Sequence, residues 1–371
     1  MPRYDFLIIG AGLYGATFAN IATRRGKKCF VIDKRDTIGG NCYTTQTLGI
    51  HIHQYGPHIF HTSNEKVWNY ITQFGAFNNF INQPLANYRG TIYNLPFNMN
   101  MMTRIFDVVT PLQAHEAIEN DKGKYKNIEP TNLEEQAIKM VGKTIYEMFI
   151  RHYTEKQWGK RCTDLPAETI KRIPLRYLYD NNYFNDVYQG IPKDGYTNLI
   201  QKMLEGIEVR LNTDLDDIDL DLKSNYFCDD VIYTGMIDKF FNYTLGKLEY
   251  RSLRFIHSIA NTTNAQGCAV INDTYKENSH TRSIEHRHFD KDCTSTKTIV
   301  SFEYPIEYKE GQSDPYYPIG NKENLELYNK YRQLANELPN VHFAGRLGEY
   351  KYYDMDDTIE KAMELAERLA V

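Results

Sequence analysis

The stretch Phe6-Leu7-Ile8-Ile9-Gly10-Ala11-Gly12-Leu13-Tyr14-Gly15 decides how this chain is read. An apolar run leads into a G-x-G-x-x-G turn, an alanine-rich segment follows, and a second run, Lys28 to Ile32, ends in Asp33, eighteen residues past Gly15. The predicted order is strand, glycine turn, helix, strand, acid. Gly10 permits the tight turn. Gly12 lets a pyrophosphate approach the backbone, Gly15 lets helix and strand pack closely, and the helix N-terminus offers free N–H groups to anionic oxygens. Asp33 can accept hydrogen bonds from an adenosine ribose. The alternative is a glycine turn in a doubly wound sheet that binds nothing; the acid in its expected place favours a dinucleotide.

The whole chain sets wider bounds. Its 371 residues allow one large domain or two to three smaller ones, and 42% hydrophobic content supports a core. A net charge of −5 points to neither nucleic acid nor an anionic membrane. The six cysteines are scattered with no C-x-x-C pair, which predicts free thiols in a reducing compartment rather than a disulfide frame or a zinc site. No apolar stretch reaches membrane-spanning length. The apolar start after Arg3 could mimic a signal peptide, but it fits a first Rossmann strand better. The 29 tyrosines suit either half-buried packing or a sugar- or base-binding cleft, since each ring offers an apolar face and a hydroxyl.

Further along, the spacing predicts a helix over Glu65–Phe74 and short strands between Asn82 and Pro96. From Met101 to Thr154 the pattern is helical. Its clearest helix starts at a Thr131-x-x-Glu134 capping box, with Leu133, Ala137, Val141, Ile145, Met148, Phe149 and His152 on one face. Strands are expected at Ile207–Leu211 and Val231–Thr234, and a separate antiparallel set at Leu253–Ile259, Cys268–Ile271, Thr281–Glu285 and Thr298–Glu303. A helix at Lys322–Leu338, a strand at Val341–Ala344, the turn Gly345-Arg346-Leu347-Gly348 and a last helix capped near Asp356–Thr358 close the chain. A late strand, glycine turn and helix of this kind belong to a discontinuous FAD domain. The middle of the chain has no second G-x-G-x-x-G, which weakens a reductase that uses NAD(P)H.

Four histidines, His51, His53, His58 and His61, crowd one segment, but their spacing fits no zinc or iron pattern, so no metal is expected. One of them is expected against the cofactor. His286 and His288 alternate around Arg287 on an expected strand and read as structural. Arg172 in a polar connector and Arg282 in a strand could each be a solvated surface residue or a planar fork for a diphosphate. Taken alone, these residues predict an FAD-binding protein with an aromatic-rich second region, by default a flavin oxidoreductase.

Longer motifs carry a resemblance. They are Ile38-Gly39-Gly40-Asn41, Tyr55-Gly56-Pro57-His58-Ile59-Phe60-His61-Thr62, Tyr153-Thr154-Glu155-Lys156-Gln157-Trp158-Gly159 and Lys171-Arg172-Ile173-Pro174. Asn182-Tyr183-Phe184-Asn185, Thr281-Arg282-Ser283-Ile284-Glu285-His286, Pro315-Tyr316-Tyr317-Pro318 and Gly345-Arg346-Leu347-Gly348 through Asp356 continue the series. In these the chain resembles the bacterial UDP-galactopyranose mutase family over essentially its whole length. The resemblance implies an isomerase that interconverts UDP-galactopyranose and UDP-galactofuranose with no net redox change. It also implies reduced FAD, with the anomeric carbon held on flavin N5 while the sugar ring opens and recloses. It leaves open whether the 2-acetamido analogue of the sugar is also taken.

Residue by residue, the resemblance implies that Arg172 and Arg282 clamp the diphosphate, Arg172 from a mobile loop, and that His58 stands next to the isoalloxazine. Trp158 matches the loop tryptophan beside the substrate, and Tyr183 and Phe184 match the pair near the uracil. Asn82, Phe149, Tyr153, Thr154 and Asn272 match other substrate-side positions, and Tyr316 and Tyr352 match phenols that bond the diphosphate. The implied FAD contacts are Gly10, Gly12, Leu13, Gly15, Asp33, Lys34, Gly40, Asn41, His58, Ile59, Arg346, Tyr352, Asp354, Met355, Asp356 and Thr358. Met236 departs from the family, which has proline in this turn, and is expected away from the site.

The fold expected is α/β: a discontinuous Rossmann-like FAD-binding domain with an inserted helical domain and an antiparallel β-sheet domain. The FAD domain would comprise residues 1–80, 195–245 and 318–371. The helical domain would span 98–170, with a mobile substrate loop near 159–176, and the sheet domain 81–97, 177–194 and 246–317. The resemblance further implies a cytoplasmic homodimer that binds a UDP-galactose type nucleotide sugar, does not insert into membranes, and supplies galactofuranose for cell-surface polysaccharide.

Overall fold

A computed structural model describes residues 3–170, 174–218 and 228–371. Tyr4–Ile9 forms the central strand of a five-stranded parallel sheet. The order is Val341–Phe343, Cys228–Tyr233, Tyr4–Ile9, Cys29–Ile32, Glu208–Arg210, so segments from both ends of the chain meet in one sheet. Ile8 faces Ile232 on one side and Val31 on the other, in the middle of the sheet. Strands buried on both faces read as continuous apolar runs, which is why Phe6 to Ile9 and Cys29 to Ile32 were legible as strands. The Leu13–Arg24 helix crosses between the first two strands, and the closing Met355–Leu369 helix packs beside it, burying Ile359, Ala362, Met363 and Ala366.

The second sheet has seven strands. Their order is Tyr317–Pro318, Tyr250–Ala260, Thr298–Glu307, Arg282–Glu285, Val270–Asp273, Leu85–Tyr88, Thr91–Asn94. It is antiparallel except where Val270–Asp273 pairs in parallel with Leu85–Tyr88. That pairing brings Asn272 beside Ala86, close in the chain to Asn82.

The helical region has its own core, in which Met99, Met102, Ala114, Ile118, Leu133, Ala137, Val141 and Ile145 are buried. Here the structure departs from the expected capping box. The cap of the Leu133–Val141 helix is Asn132, one residue later than expected, and its side chain accepts from Glu135 N. Glu135, rather than Glu134, reaches back to the Thr131 hydroxyl and N–H, each at 2.8 Å. Nor does one helix continue to His152. Gly142, at φ 85°, breaks it, and a π-turn over Tyr146–Ile150 leads into the Arg151–Trp158 helix. A π-turn rotates the face that follows it, and such turns recur at functional sites. Here it leaves Phe149 in the helical core while Tyr153, on the next turn, lines a cavity. His286 and His288 lie in a 3-10 turn, His286–Phe289, not on a strand.

Candidate active site

At the C-terminal edge of the parallel sheet lies a cavity of about 270 Å³, lined by Gly10, Gly12, Leu13, Asp33, Lys34 and Gly40 among others. Gly12 caps the Leu13–Arg24 helix with no side-chain hydrogen bond, and the first turn carries no acid, so its N–H groups remain for an anion. The cradle is shaped by what is missing from it. At Gly10 (φ +115°) a Cβ would stand 2.1 Å from Thr234 Oγ1, and at Gly15 one would stand 2.0 Å from the Gly10 carbonyl oxygen. Across the turn Gly12 and Gly39 bridge, and Gly39 N donates to Ala11 O at 2.9 Å. Asp33 is buried and braces the turn: Oδ2 accepts from Ala11 N at 2.8 Å and Oδ1 from Arg35 N at 2.9 Å. Each oxygen keeps a lone pair for a ribose hydroxyl. Gly15 itself packs behind the turn. These residues fit the dinucleotide cofactor expected from the sequence.

A second cavity of about 400 Å³ adjoins the first and shares Asn41, His58, Tyr316, Arg346 and Met355 with it. One slot therefore runs from Asp33 to Arg282. Lining its far end are Ile59, Asn82, Tyr153, Tyr183, Phe184, Asn272, Arg282, Tyr352 and Asp354. His58 stands at the junction. Its Nδ1 lies 2.8 Å from Gly56 O, a carbonyl that can only accept, so Nδ1 carries the proton and Nε2 is the ring's acceptor. Burial, with Arg346 and Arg282 nearby, lowers the His58 pKa to about 4, against a partial opposing effect of the Gly56 bond, and the ring is neutral at pH 7.

Arg282 opens the Arg282–Glu285 strand. Its Nε donates to Glu303 Oε1 at 3.0 Å, and the Glu303 side chain is fully buried. Burial works against the guanidinium charge, but Glu303 together with Tyr153 and Tyr317 outweighs it and holds the Arg282 pKa well above its ordinary value. Burial also raises the phenols of Tyr153, Tyr316 and Tyr352, so they remain hydrogen-bond donors at neutral pH. Among the described residues, Glu303 Oε2 and Asn272 Oδ1 are buried without a donor. An unpaired buried acceptor costs about 1–3 kcal/mol, which a ligand hydroxyl would relieve. Arg346 holds the closing turn, donating to Tyr353 O at 2.6 Å, with its guanidinium over the Tyr352 ring at 4.8 Å.

Some expected residues stand elsewhere. Phe149 packs among Tyr88, Tyr93 and Phe97 in the helical core, and Thr154 is buried without lining the slot. Trp158 borders the neighbouring groove with Tyr317 and Tyr352. Asp356 bonds the Thr62 hydroxyl, whereas Thr358 lines the cofactor end. Arg172 lies outside the described residues. Met236, expected away from the site, is buried and lines the cofactor cavity beside Thr234. Among the clustered histidines, His53 supports His58, accepting from His58 N at 3.1 Å, and His61 pairs with Asp186 and stacks on Phe184 at 3.6 Å. Sequence reasoning missed Glu303, Tyr317 and Arg35. Glu303 carried a signal, an acid two residues after Ser301 and on the same face, in a strand that opens with an apolar run. Among the described residues no His, Cys, Asp or Glu group is placed to hold a metal ion.

A glycine cradle for a dinucleotide, continuous with a cavity that sets Arg282 and Arg346 among protonated phenols, defines a Rossmann-type flavoprotein; its cofactor is FAD. Comparison with known proteins narrows the class. The UDP-galactopyranose mutase family model matches residues 148–352, and that of the NAD(P)-binding Rossmann-like domain matches residues 8–74. A probable UDP-galactopyranose mutase of Klebsiella pneumoniae is 37% identical, over 99% of this chain and 95% of its own. A dTDP-fucopyranose mutase of Escherichia coli is 38% identical, over 97% of each. The crystal structure of a reduced UDP-galactopyranose mutase shares the fold, with a TM-score of 0.77 at 17% identity over 100% of this chain and 94% of that one. The chain belongs to the UDP-galactopyranose mutase family and is an isomerase.

Proposed function

We propose that this enzyme interconverts UDP-galactopyranose and UDP-galactofuranose. The observation that carries the reading is the continuity of the slot: His58 and Arg346 line both the cofactor cavity and the cavity that holds Arg282. A sugar bound there has its anomeric carbon toward the cofactor and its diphosphate toward a fixed cation. When bound in reduced form, FAD supplies a nucleophilic nitrogen, N5, for that carbon. The protein then has to stabilise a diphosphate leaving group. Arg282 brings a permanent charge already paired and oriented by Glu303, so little reorganisation is needed as charge develops. Tyr153, Tyr316 and Tyr352 add neutral donors, and the proposed second cation is Arg172. Neutral His58 presents an acceptor and no competing positive charge beside the flavin. Phe184, stacked on His61, and Tyr183 form an aromatic end for the uracil. Asn272 Oδ1 and Glu303 Oε2 are acceptors for sugar hydroxyls.

The same reading places Trp158 and the 159–176 loop as a cover over the substrate, and divides the chain into the FAD, helical and sheet domains set out above. It extends to a cytoplasmic homodimer, supported by family resemblance and by six free cysteines. No helix among the described residues is long and apolar enough to cross a membrane.

The test is anaerobic incubation of dithionite-reduced protein with UDP-galactofuranose, followed by chromatography. Conversion to UDP-galactopyranose that stops when the flavin is oxidised is expected. Parallel reactions with dTDP-fucofuranose and with the 2-acetamido sugar separate the alternatives, the first because the Escherichia coli relative bears that name. Preference for either would replace galactose in this proposal, and oxygen consumption without isomerisation would overturn it.

A further inference from the structure

Lys156 does not line the slot, yet it joins two of its walls. It lies on the Arg151–Trp158 helix, three residues after Tyr153 and two before Trp158. Its side chain is only 13% exposed. The ammonium nitrogen lies 2.8 Å from Asp273 O, 3.0 Å from Tyr275 O, 3.0 Å from Asn278 O and 2.9 Å from His280 O. The Asp273 carboxylate is 3.7 Å away. Four carbonyls converge on a group with three N–H donors, so the nitrogen sits in a cage of oxygen dipoles, as a bound cation would.

The cage is the loop between the Val270–Asp273 and Arg282–Glu285 strands. Asn272 stands immediately before it and Arg282 two residues after its last carbonyl. The loop is otherwise tied at its two ends, Thr274 N and Oγ1 donating to Asn87 O at 3.0 and 3.1 Å and Thr281 N to Glu303 O at 2.9 Å, while within it Asn278 Nδ2 donates to Asp273 Oδ2 at 2.7 Å. Without the ammonium, four carbonyl dipoles would face one another in a poorly solvated space. The stretch 275–280 between those ends would open to relieve them, pulling on Thr281 and, through it, on the seat of Arg282 against Glu303.

We propose that Lys156 is a positioning residue for the reaction, acting through the 274–281 loop to hold Arg282 and Asn272 in register with Tyr153 on its own helix. This rests on the function proposed above, in which Arg282 meets the diphosphate.

The experiment uses the FAD-loaded full chain, with UDP as binding probe and Lys156→Met as variant. FAD content is expected to stay at the wild-type level. UDP affinity should fall about tenfold and turnover about a hundredfold, the scale set by a misplacement of about 1 Å. Lys156→Arg, which keeps the charge, should restore much of both. If Lys156 acts through Arg282, Lys156→Met should weaken UDP binding no further in an Arg282→Ala background. As a second measurement, ethylammonium should restore turnover to Lys156→Ala by occupying the cage, while tetramethylammonium should not. Wild-type UDP binding by Lys156→Met, multiplicative losses in the double variant, loss of flavin, or no ethylammonium rescue would each overturn the inference. A wild-type chain that neither binds UDP nor isomerises would overturn this inference together with the proposed function. Wild-type activity matched by Lys156→Met would overturn the inference alone.

Discussion

Glu303 Oε1 meets Arg282 Nε at 3.0 Å, in a pair whose acid is fully buried and whose base opens into the reaction cavity. The acid orients the base from behind. Thr281 helps fix that acid, donating through Oγ1 to Glu303 Oε1 at 3.0 Å. Isolated, a carboxylate with no exposure would be costly; here it makes a permanent cation available for a ligand.

Removing the base should therefore do two things. Arg282→Ala should lower kcat/KM about 100- to 1,000-fold, the usual cost of losing one fixed charge-stabilising donor. It should also destabilise the chain by about 3–5 kcal/mol, because Glu303 is left unpaired. Arg282→Ala with Glu303→Gln should regain much of the stability and none of the activity. Steady-state kinetics and urea unfolding check both, and an Arg282→Ala chain as stable as wild type would contradict the buried pair.

The glycine cradle makes a prediction about cofactor retention. Gly15→Ala would place a Cβ 2.0 Å from the Gly10 carbonyl oxygen, a backbone atom that can shift only with the turn. The FAD-to-protein absorbance ratio of the purified variant should fall below half that of wild type, even where the chain folds. Full flavin content would show that the turn does not set the cofactor's position.

Stability should fall in acid for a specific reason. Burial lowers the pKa of His58 to about 4 and of His286 to about 3, and holds His53 well below its usual value. The folded protein thus keeps these rings neutral while the unfolded chain protonates them near pH 6.5. Between pH 6.5 and about 4 the unfolded state binds more protons, so stability is full above pH 6.5 and declines as pH falls through this window. At about 1.4 kcal/mol per pKa unit, several kcal/mol are at stake. Urea titrations at pH 7, 5.5 and 4.5 should show the decline, and His286→Gln should flatten it. A flat profile in wild type would contradict the buried neutral rings.

Gly159 ends the helix that carries Tyr153 and Trp158, at φ +65°, and a Cβ there would stand 2.9 Å from Arg251 Nη1. Arg251 in turn caps that helix, donating through Nε to Gln157 O at 2.9 Å. Gly159→Ala should cost about 1–2 kcal/mol through the strained cap and lost packing. Turnover should fall while flavin is retained, since Gly159 lies away from the cofactor cavity. Loss of FAD in this variant would show that the helix end also serves the cofactor.

The expected elements that depend on local chemistry survived comparison with the structure. Gly10 and Gly12 line the cradle with Asp33, Gly15 packs behind it against the Gly10 carbonyl, and the closing helix buries Ile359, Ala362, Met363 and Ala366. Where two local signals competed, the reading slipped by a residue, as at Thr131, whose neighbour Asn132 is the cap. The long helical face through Phe149 failed for a different reason. Gly142 and the π-turn reset the phase, so residues beyond them answer to the helical core and not to the earlier periodicity.

Sequence alone determined the class of fold and the cofactor end of the site. A glycine turn, an apolar run and a capping acid act over a few residues, and their steric and hydrogen-bonding demands are written in consecutive positions. Tertiary structure alone decided which side chains share the reaction cavity. Glu303 faces Arg282 because adjacent strands pair Arg282 with Glu303 in register, and Met236 reaches the cofactor cavity because the strand that ends three residues before it, Cys228–Tyr233, joins the parallel sheet beside Tyr4–Ile9. Lys156 meets its four carbonyls because a helix and a strand loop more than a hundred residues apart fold against each other. Those contacts come from pairing and packing between distant segments, which no local pattern encodes.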